Sequence, residues 1–391
     1  MNDTESDRLF RSGQYDQAAD HLRKGMNKEG PDGRDRLLYL FDLGLSLHQA
    51  GKYEESNKAF AEAEDIADIR DYTSLANEAA TLVVSDNMKA YKGEDFEKVL
   101  VNVYRALNYS LMGAYDDALI EARKVNRKLY LMVSEGKRKY KQNAFASYLS
   151  ATLFEAKGEF NDAYVDYKKV RDLLPEMPGI GRELWRVAGL LNMSDEQERW
   201  DKEFDLTTAD HAAAKLAGPR SRKGEIIIVY QNGISPIKRP SRILESIPEF
   251  YPRTNPVQIA TVKVDQTAVG EPEILDNIEA TAIANLKEKY AGIIAKKVAG
   301  AAVKLVVANQ VAQRMNSPIL GDLTRILLFS ADKADLRSWN LLPRDLQILR
   351  VAVDPGPHTV YVSPVNGGHT MEKTVAFDAG KKVFVNFRYI P

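Results

Sequence analysis

Apolar positions recur at steps of three and four through the first half of the chain. In the stretch 91–129 the series Phe96, Val99, Val103, Ala106 and Leu107 is followed by Tyr115, Ala118, Leu119, Ala122, Val125 and Leu129. Each series is one buried stripe of an amphipathic helix, and Gly113-Ala114-Tyr115 marks the turn between them. The same punctuation returns at Gly13-Gln14-Tyr15, Gly51-Lys52-Tyr53 and Gly158-Glu159-Phe160, each before small residues such as Ala18, Ala63 and Ala163. Further apolar positions at Leu184, Val187, Leu190 and Leu191, then a charged segment over 194–210, predict the end of the helical part and one more helix. Trp185 and Trp200 are expected to cap the last pair.

Past 217–224, a Gly/Pro/Ser/Arg linker, the period changes from 3.6 to 2. Glu225 to Tyr230 (EIIIVY) reads as a strand buried on both faces, with Gln231-Asn232-Gly233 as a turn after it. Prolines from Pro236 to Pro256 predict an irregular connection. Val257 to Val264, Ile348 to Val353, Gly356 to Val362 and Val383 to Phe387 predict short strands of a small antiparallel sandwich. A long helical insert is expected over 278–315. Lys296, Lys297 and Lys304 interrupt it, so it lacks the roughly 20 nearly uncharged residues of a membrane span and is expected to pack on the sheet or a neighbouring helix. The fold class is therefore α+β, with an α-helical repeat domain over 1–217 and a β-rich domain over 218–391.

Glycine-x-aromatic turns followed by small residues, with Pro175 ending the last unit, resemble tetratricopeptide repeats. The marker glycines at 13, 51, 113 and 158 are spaced more widely than the nominal period of about 34 residues. The array is degenerate. Such scaffolds hold a protein partner in the groove that the repeats form.

The central unit breaks the pattern. Asn102, Arg105 and Tyr109 form a polar stripe where large core residues belong, with Tyr104 and Asn108 beside it and Glu121, Arg123 and Asn126 on the next helix. Buried charges require partners. These groups either form an internal network, such as Arg105 with Glu121, or line the groove as partner-binding candidates. A second candidate surface is basic. Arg220, Arg222, Lys223, Lys238, Arg239, Arg242 and Arg253 gather near the junction and would suit an anionic partner.

Composition narrows the function further. A net charge of −1 over 391 residues gives no general attraction to nucleic acid, and the absence of cysteine removes disulfides and thiolate chemistry. His358 and His369 stand in glycine turns without a serine, cysteine or carboxylate motif. Asp332, Asp335 and Arg337 read as a turn cap and an ion pair beside Trp339. No phosphate loop, HExxH or GxSxG occurs, so neither a cofactor nor a metal is implied and catalysis is not expected. The alternative is a ligand-binding or hydrolytic protein using the cleft between the domains.

Four segments, GEDFEKVLVNVYRALNYSLMGAYDDALIEARKVN, GEIIIVYQNGISPIKRPSRI, ADKADLRSWNLLP and PGPHTVYV, resemble in order those of a family of bacterial envelope lipoproteins with tetratricopeptide-like N-terminal halves. The resemblance implies a scaffold or assembly factor bound to envelope proteins. It also implies a periplasmic, outer-membrane location through a lipidated N-terminal cysteine, and supplies no catalytic residues. The chain as given has no secretory signal or cysteine, so that leader would precede Asn2. A cytoplasmic repeat adaptor is the other expectation.

Overall fold

A left-handed residue closes each helix pair of the N-terminal part. In the computed structural model, which describes residues 4–76, 89–134, 143–217, 221–242, 245–314, 319, 322 and 333–391, Gly13, Gly51, Gly113 and Gly158 have φ of 75°, 76°, 75° and 77°. At the first turn the Gln14 N–H reaches back to the Leu9 carbonyl at 2.9 Å, and the Lys52, Ala114 and Glu159 N–H groups do the same at theirs. The bond satisfies a helix-end carbonyl that would otherwise be orphaned. These turns join α1 (Thr4–Arg11) to α2 (Tyr15–Glu29), α3 (Arg36–Gln49) to α4 (Tyr53–Ala76), α5 (Asp95–Leu111) to α6 (Tyr115–Ser134), and α7 (Ala144–Ala156) to α8 (Phe160–Leu173).

A fifth pair follows, its second helix opening the charged segment over 194–210 that the sequence predicted as one more helix. α9 (Pro178–Leu190) turns into α10 (Ser194–Phe204) at Asn192, φ 58°, with the same backbone bond from Met193 N–H to Ala188 O at 2.9 Å. Asparagine is the side chain that best tolerates this conformation, so it stands in for the glycine. A separate helix, α11 (Thr208–Leu216), begins at Thr207, whose hydroxyl accepts from the Asp210 N–H at 3.2 Å. Trp200 is buried against the last pair, its indole N–H donating to the Tyr164 hydroxyl at 2.8 Å. Trp185 is half-buried and stacks on His211.

The C-terminal part holds two four-stranded sheets. The first has the order β10 (Lys382–Arg388), β1 (Gly224–Asn232), β7 (Asp345–Val353), β6 (Glu273–Asn277). The second has the order β5 (Thr267–Gly270), β4 (Ala260–Val264), β8 (Gly356–Pro364), β9 (Met371–Phe377). The expected sandwich forms, but it is not wholly antiparallel, because β10 runs parallel to β1 with Ile227 opposite Phe384. The proline-rich connection is not irregular throughout. β2 (Ile237–Pro240) and β3 (Pro248–Tyr251) pair as a hairpin, with Pro240 opposite Pro248. That strip forms its own two-stranded sheet, where a missing ladder donor is tolerated.

β1 is buried along its whole length because its sheet is the middle of three layers. Ile226, Ile228 and Tyr230 pack with Val262, Val360 and Val362 of the second sheet. Ile227 and Val229 point the other way and belong to one continuous apolar core with the helices, from Leu9 through Phe154 to Phe384. The 37-residue α12 (Ile278–Arg314) starts directly after β6. Ile278, Ala282 and Leu286 bury its first turns against the body, and the expected final position, Met315, lies outside the described residues.

Candidate functional site

The face formed by α3, α5, α7 and α9 is the surface on which a repeat partner was expected. In the structure it is covered by the chain's own middle sheet and by the segment 333–342. The open-groove expectation therefore gives way, because apolar side chains of both parts meet there and exclude solvent.

Trp339 anchors the contact at one end. Its buried ring lies on Phe41 of α3, with centroids 4.8 Å apart, and beside Phe60 and Tyr104 at 5.6 and 5.8 Å. Its backbone N–H donates to Glu97 Oε1 at 2.7 Å. Glu97 also accepts from the Tyr91 hydroxyl at 2.5 Å and the Glu94 N–H at 2.8 Å. Burial, then the neighbouring Glu94 charge, pushes the Glu97 carboxyl up to about 7. Burial opposes ionisation of Glu94 as well, but Lys238 and Lys289 hold it far below the usual carboxylate range. Asp335 and Asp35 clamp the Arg337 guanidinium at 2.7 and 2.9 Å, fixing the segment that carries Trp339. Asp332 lies outside the described residues.

A chain of neutral polar groups crosses the middle of the interface. Gln231, read from sequence as a turn residue, is the penultimate residue of β1. Its Oε1 accepts from Tyr104 at 3.0 Å and from Gln49 at 2.9 Å, and its amide nitrogen donates to Asn386 at 2.7 Å. That nitrogen also lies 2.8 Å from His48 Nε2, while His48 Nδ1 is 2.5 Å from Asn108 Oδ1. The ring therefore donates from Nδ1 and accepts at Nε2, the neutral tautomer. Burial lowers its pKa to about 4, which keeps it neutral.

A buried ion cluster ties the far end. Arg350 of β7 meets Glu155 of α7 at 2.8 Å, Glu183 of α9 at 3.0 Å and Glu225 of β1 at 2.6 Å. Arg186 bonds Glu155 and Glu183, Lys382 pairs with Glu225, and the Tyr167 hydroxyl lies 2.7 Å from Arg350 Nη1. Three cations face three carboxylates across the boundary between helices and sheet. Both arginines are raised, and Glu155 and Glu183 lowered, against the burial that opposes every charge here. Such a set is a clamp rather than a catalytic pair: every charge is already met.

Most of the central-stripe candidates are engaged inside the protein. Arg105 bonds Glu64 at 2.6 Å and Glu121 at 3.0 Å, Asn102 donates to Glu121 at 2.7 Å, and Lys128 bonds Glu64 at 2.7 Å. Burial resists ionisation of Glu64, yet Lys128 and Lys124 hold it down to about 2. Asn108 donates to Ser56 and Asn57, and Tyr109 packs against the core. Arg123 is exposed over the Phe154 ring, and the buried Asn126 Oδ1 has no hydrogen-bond partner.

The basic candidates do not converge. Lys238 is buried on Glu94, and Arg253 donates to the Ser235 and Asn340 carbonyls at 2.5 and 2.7 Å. Lys223 pairs with Asp354 at 2.9 Å, whereas Arg222, Arg239 and Arg242 are exposed, Arg242 over the Tyr251 ring. Arg220 lies outside the described residues. His358 is held at a surface turn by Asp265 and the Asp354 carbonyl, at 2.5 and 2.6 Å, and His369 is exposed. Among the described residues no cluster of His, Asp or Glu could hold a metal ion, and no helix is long and apolar enough to cross a membrane.

The chain matches no protein-family model and no curated protein by sequence. Among solved structures it is similar to MamA from Desulfovibrio magneticus RS-1, at 16% identity over 52% of this chain and 88% of that one, TM-score 0.33. It is also similar to a Rap conjugation gene regulator solved with its Phr peptide, at 15% identity over 54% of this chain and 55% of that one, TM-score 0.31. A tetratricopeptide repeat protein from Parabacteroides merdae aligns at 15% identity over 55% of this chain and 82% of that one, TM-score 0.24. The repeat assignment itself rests on the five helix pairs and their shared turn.

Proposed function

We propose that the chain is a non-catalytic interaction scaffold of the bacterial cell envelope, a lipoprotein in its native form, which binds a protein partner on its outer surface. The observation that carries this reading is the occupied repeat face. With Trp339 and the Arg350 cluster seated there, the surface left for a partner is the outside of the helix–sheet body. Among the described residues, the later turns of α12 expose Ile294, Val298, Leu305 and Val306 there. Val298 is 66% exposed. Exposed apolar patches of this kind mark interaction sites. The envelope location is supported by the four segments that resemble envelope lipoproteins.

Two measurements on the native gene product test it. Fractionation with mass spectrometry of the N-terminal peptide should find a lipid-modified cysteine in the membrane fraction; an unmodified soluble protein starting at Met1 overturns the location. A photo-crosslinker at Val298 should capture one defined protein in cells, and capture should fall when Ile294 and Leu305 become aspartate. No specific adduct, or one indifferent to those changes, overturns the scaffold reading.

A further inference from the structure

A cavity of about 640 Å³ opens at the edge of the helix–sheet contact, between α5, the start of α7, the end of α8, β6 and the first turns of α12. The volume lies within the roughly 300–1,000 Å³ of small-molecule sites. Phe96, Val99, Leu174 and Leu275 give it an apolar floor, and Ala284 stands at its exposed rim. Thr281, Ala284, Asn285 and Glu288 reach it from one side of α12, at helical spacing.

One wall residue is out of keeping with the rest. Asn285 is 3% exposed, lines the cavity, and has no hydrogen-bond partner at either its amide nitrogen or its oxygen. A buried carboxamide left without partners is destabilising at both atoms, so it marks a place where another molecule's polar group is met. The Asp276 carboxylate lines the same cavity, with one oxygen held by the Asn143 amide at 2.7 Å.

We propose that this cavity binds a secondary amide flanked by apolar groups. The ligand's N–H donates to Asn285 Oδ1, and its apolar arms lie along Phe96, Val99 and Leu275. An ester, which has no N–H, leaves that oxygen unmet. The same chemistry belongs to an acylated amine and to a short apolar peptide.

The test is titration calorimetry on the full chain with N-butylhexanamide, its ester counterpart butyl hexanoate, and N-acetyl-leucyl-isoleucine amide. At least one amide is expected to bind, and the ester about tenfold more weakly than the alkyl amide, the loss of one hydrogen bond. Binding by the alkyl amide alone supports an acylated amine, and binding by the blocked dipeptide alone supports a peptide. Asn285→Leu should erase the preference for amide over ester. Ala284→Trp, which fills the mouth from an exposed position, should abolish binding while circular dichroism and the melting curve stay unchanged. No binding by either amide, or an amide preference that persists in Asn285→Leu, overturns the proposal.

Discussion

Trp339 lies nearly parallel to Phe41, at 19° between ring planes, although the two come from opposite ends of the chain. The stack joins the first helix of the second repeat pair to the segment before β7. A side chain that fills a preformed aromatic box holds its segment more strongly than a surface contact does.

Trp339→Ala should therefore lower stability by about 3–5 kcal/mol, the usual cost of emptying a large aromatic site. Urea titration measures the loss. Limited proteolysis should also cut near Arg337 and Asn340 sooner than in the parent. A loss under about 1 kcal/mol would mean that the ring contributes little to holding the layers together.

The charge cluster makes a different prediction. Arg350→Leu leaves Glu155, Glu183 and Glu225 buried with too few cations, so it should cost about 3–5 kcal/mol. Adding Glu183→Gln should recover part of that loss, because one uncompensated carboxylate is removed. A double-mutant cycle by chemical denaturation reads the coupling. Strict additivity would show that the two groups do not act on each other.

Acid should weaken the polar chain through His48. Its pKa falls from 6.5 to about 4 on folding, so the unfolded chain binds the proton more readily between those values. The contribution is complete above pH 6.5 and is lost as pH falls toward 4, amounting to about 3 kcal/mol. Lys373 and Arg388 add to the lowering, while the partners Asn108, Gln231 and Asn386 are neutral. Glu97 runs the other way. Its pKa rises from 4.5 to about 7, so its contribution is present below 4.5 and is lost as pH rises through 7. His48→Gln keeps a donor and an acceptor without titrating, and should lose less stability than the parent between pH 6.5 and 4. Parallel pH profiles would remove His48 as the cause.

At the fifth turn, Asn192→Gly should raise stability by about 0.5 kcal/mol and Asn192→Ala should lower it by about 1 kcal/mol, since alanine resists positive φ. Thermal melts of the two variants separate the cases. An unchanged melt for the alanine variant would argue against a demand for left-handed backbone there.

Much of the architecture could be read from local pattern. Four turns were legible because glycine with an aromatic two residues on is a short-range signal, while the fifth was hidden because Asn192 performs the same role without it. β1 was legible as a strand covered on both faces, but nothing local says that helices cover one of them. The interface was the least legible part, since Gln231 meets Tyr104 and His48 only through folding, and Lys238 looked like a surface charge until Glu94 was placed beside it. A clue was available in retrospect: Gln231 and Asn232 directly continue the apolar run of β1, where a polar pair must find partners. Asn285 carried no sequence signal, because its spacing along α12 is that of any helix.

The parallel pairing of β1 with β10 also sets a clock. Glu225 and Lys382, neighbours across that ladder, are 157 residues apart. At synthesis rates of about 5–20 residues per second, on the order of 8–30 s separate the emergence of the two strands. For that interval the sheet that covers the repeat helices lacks its edge strand.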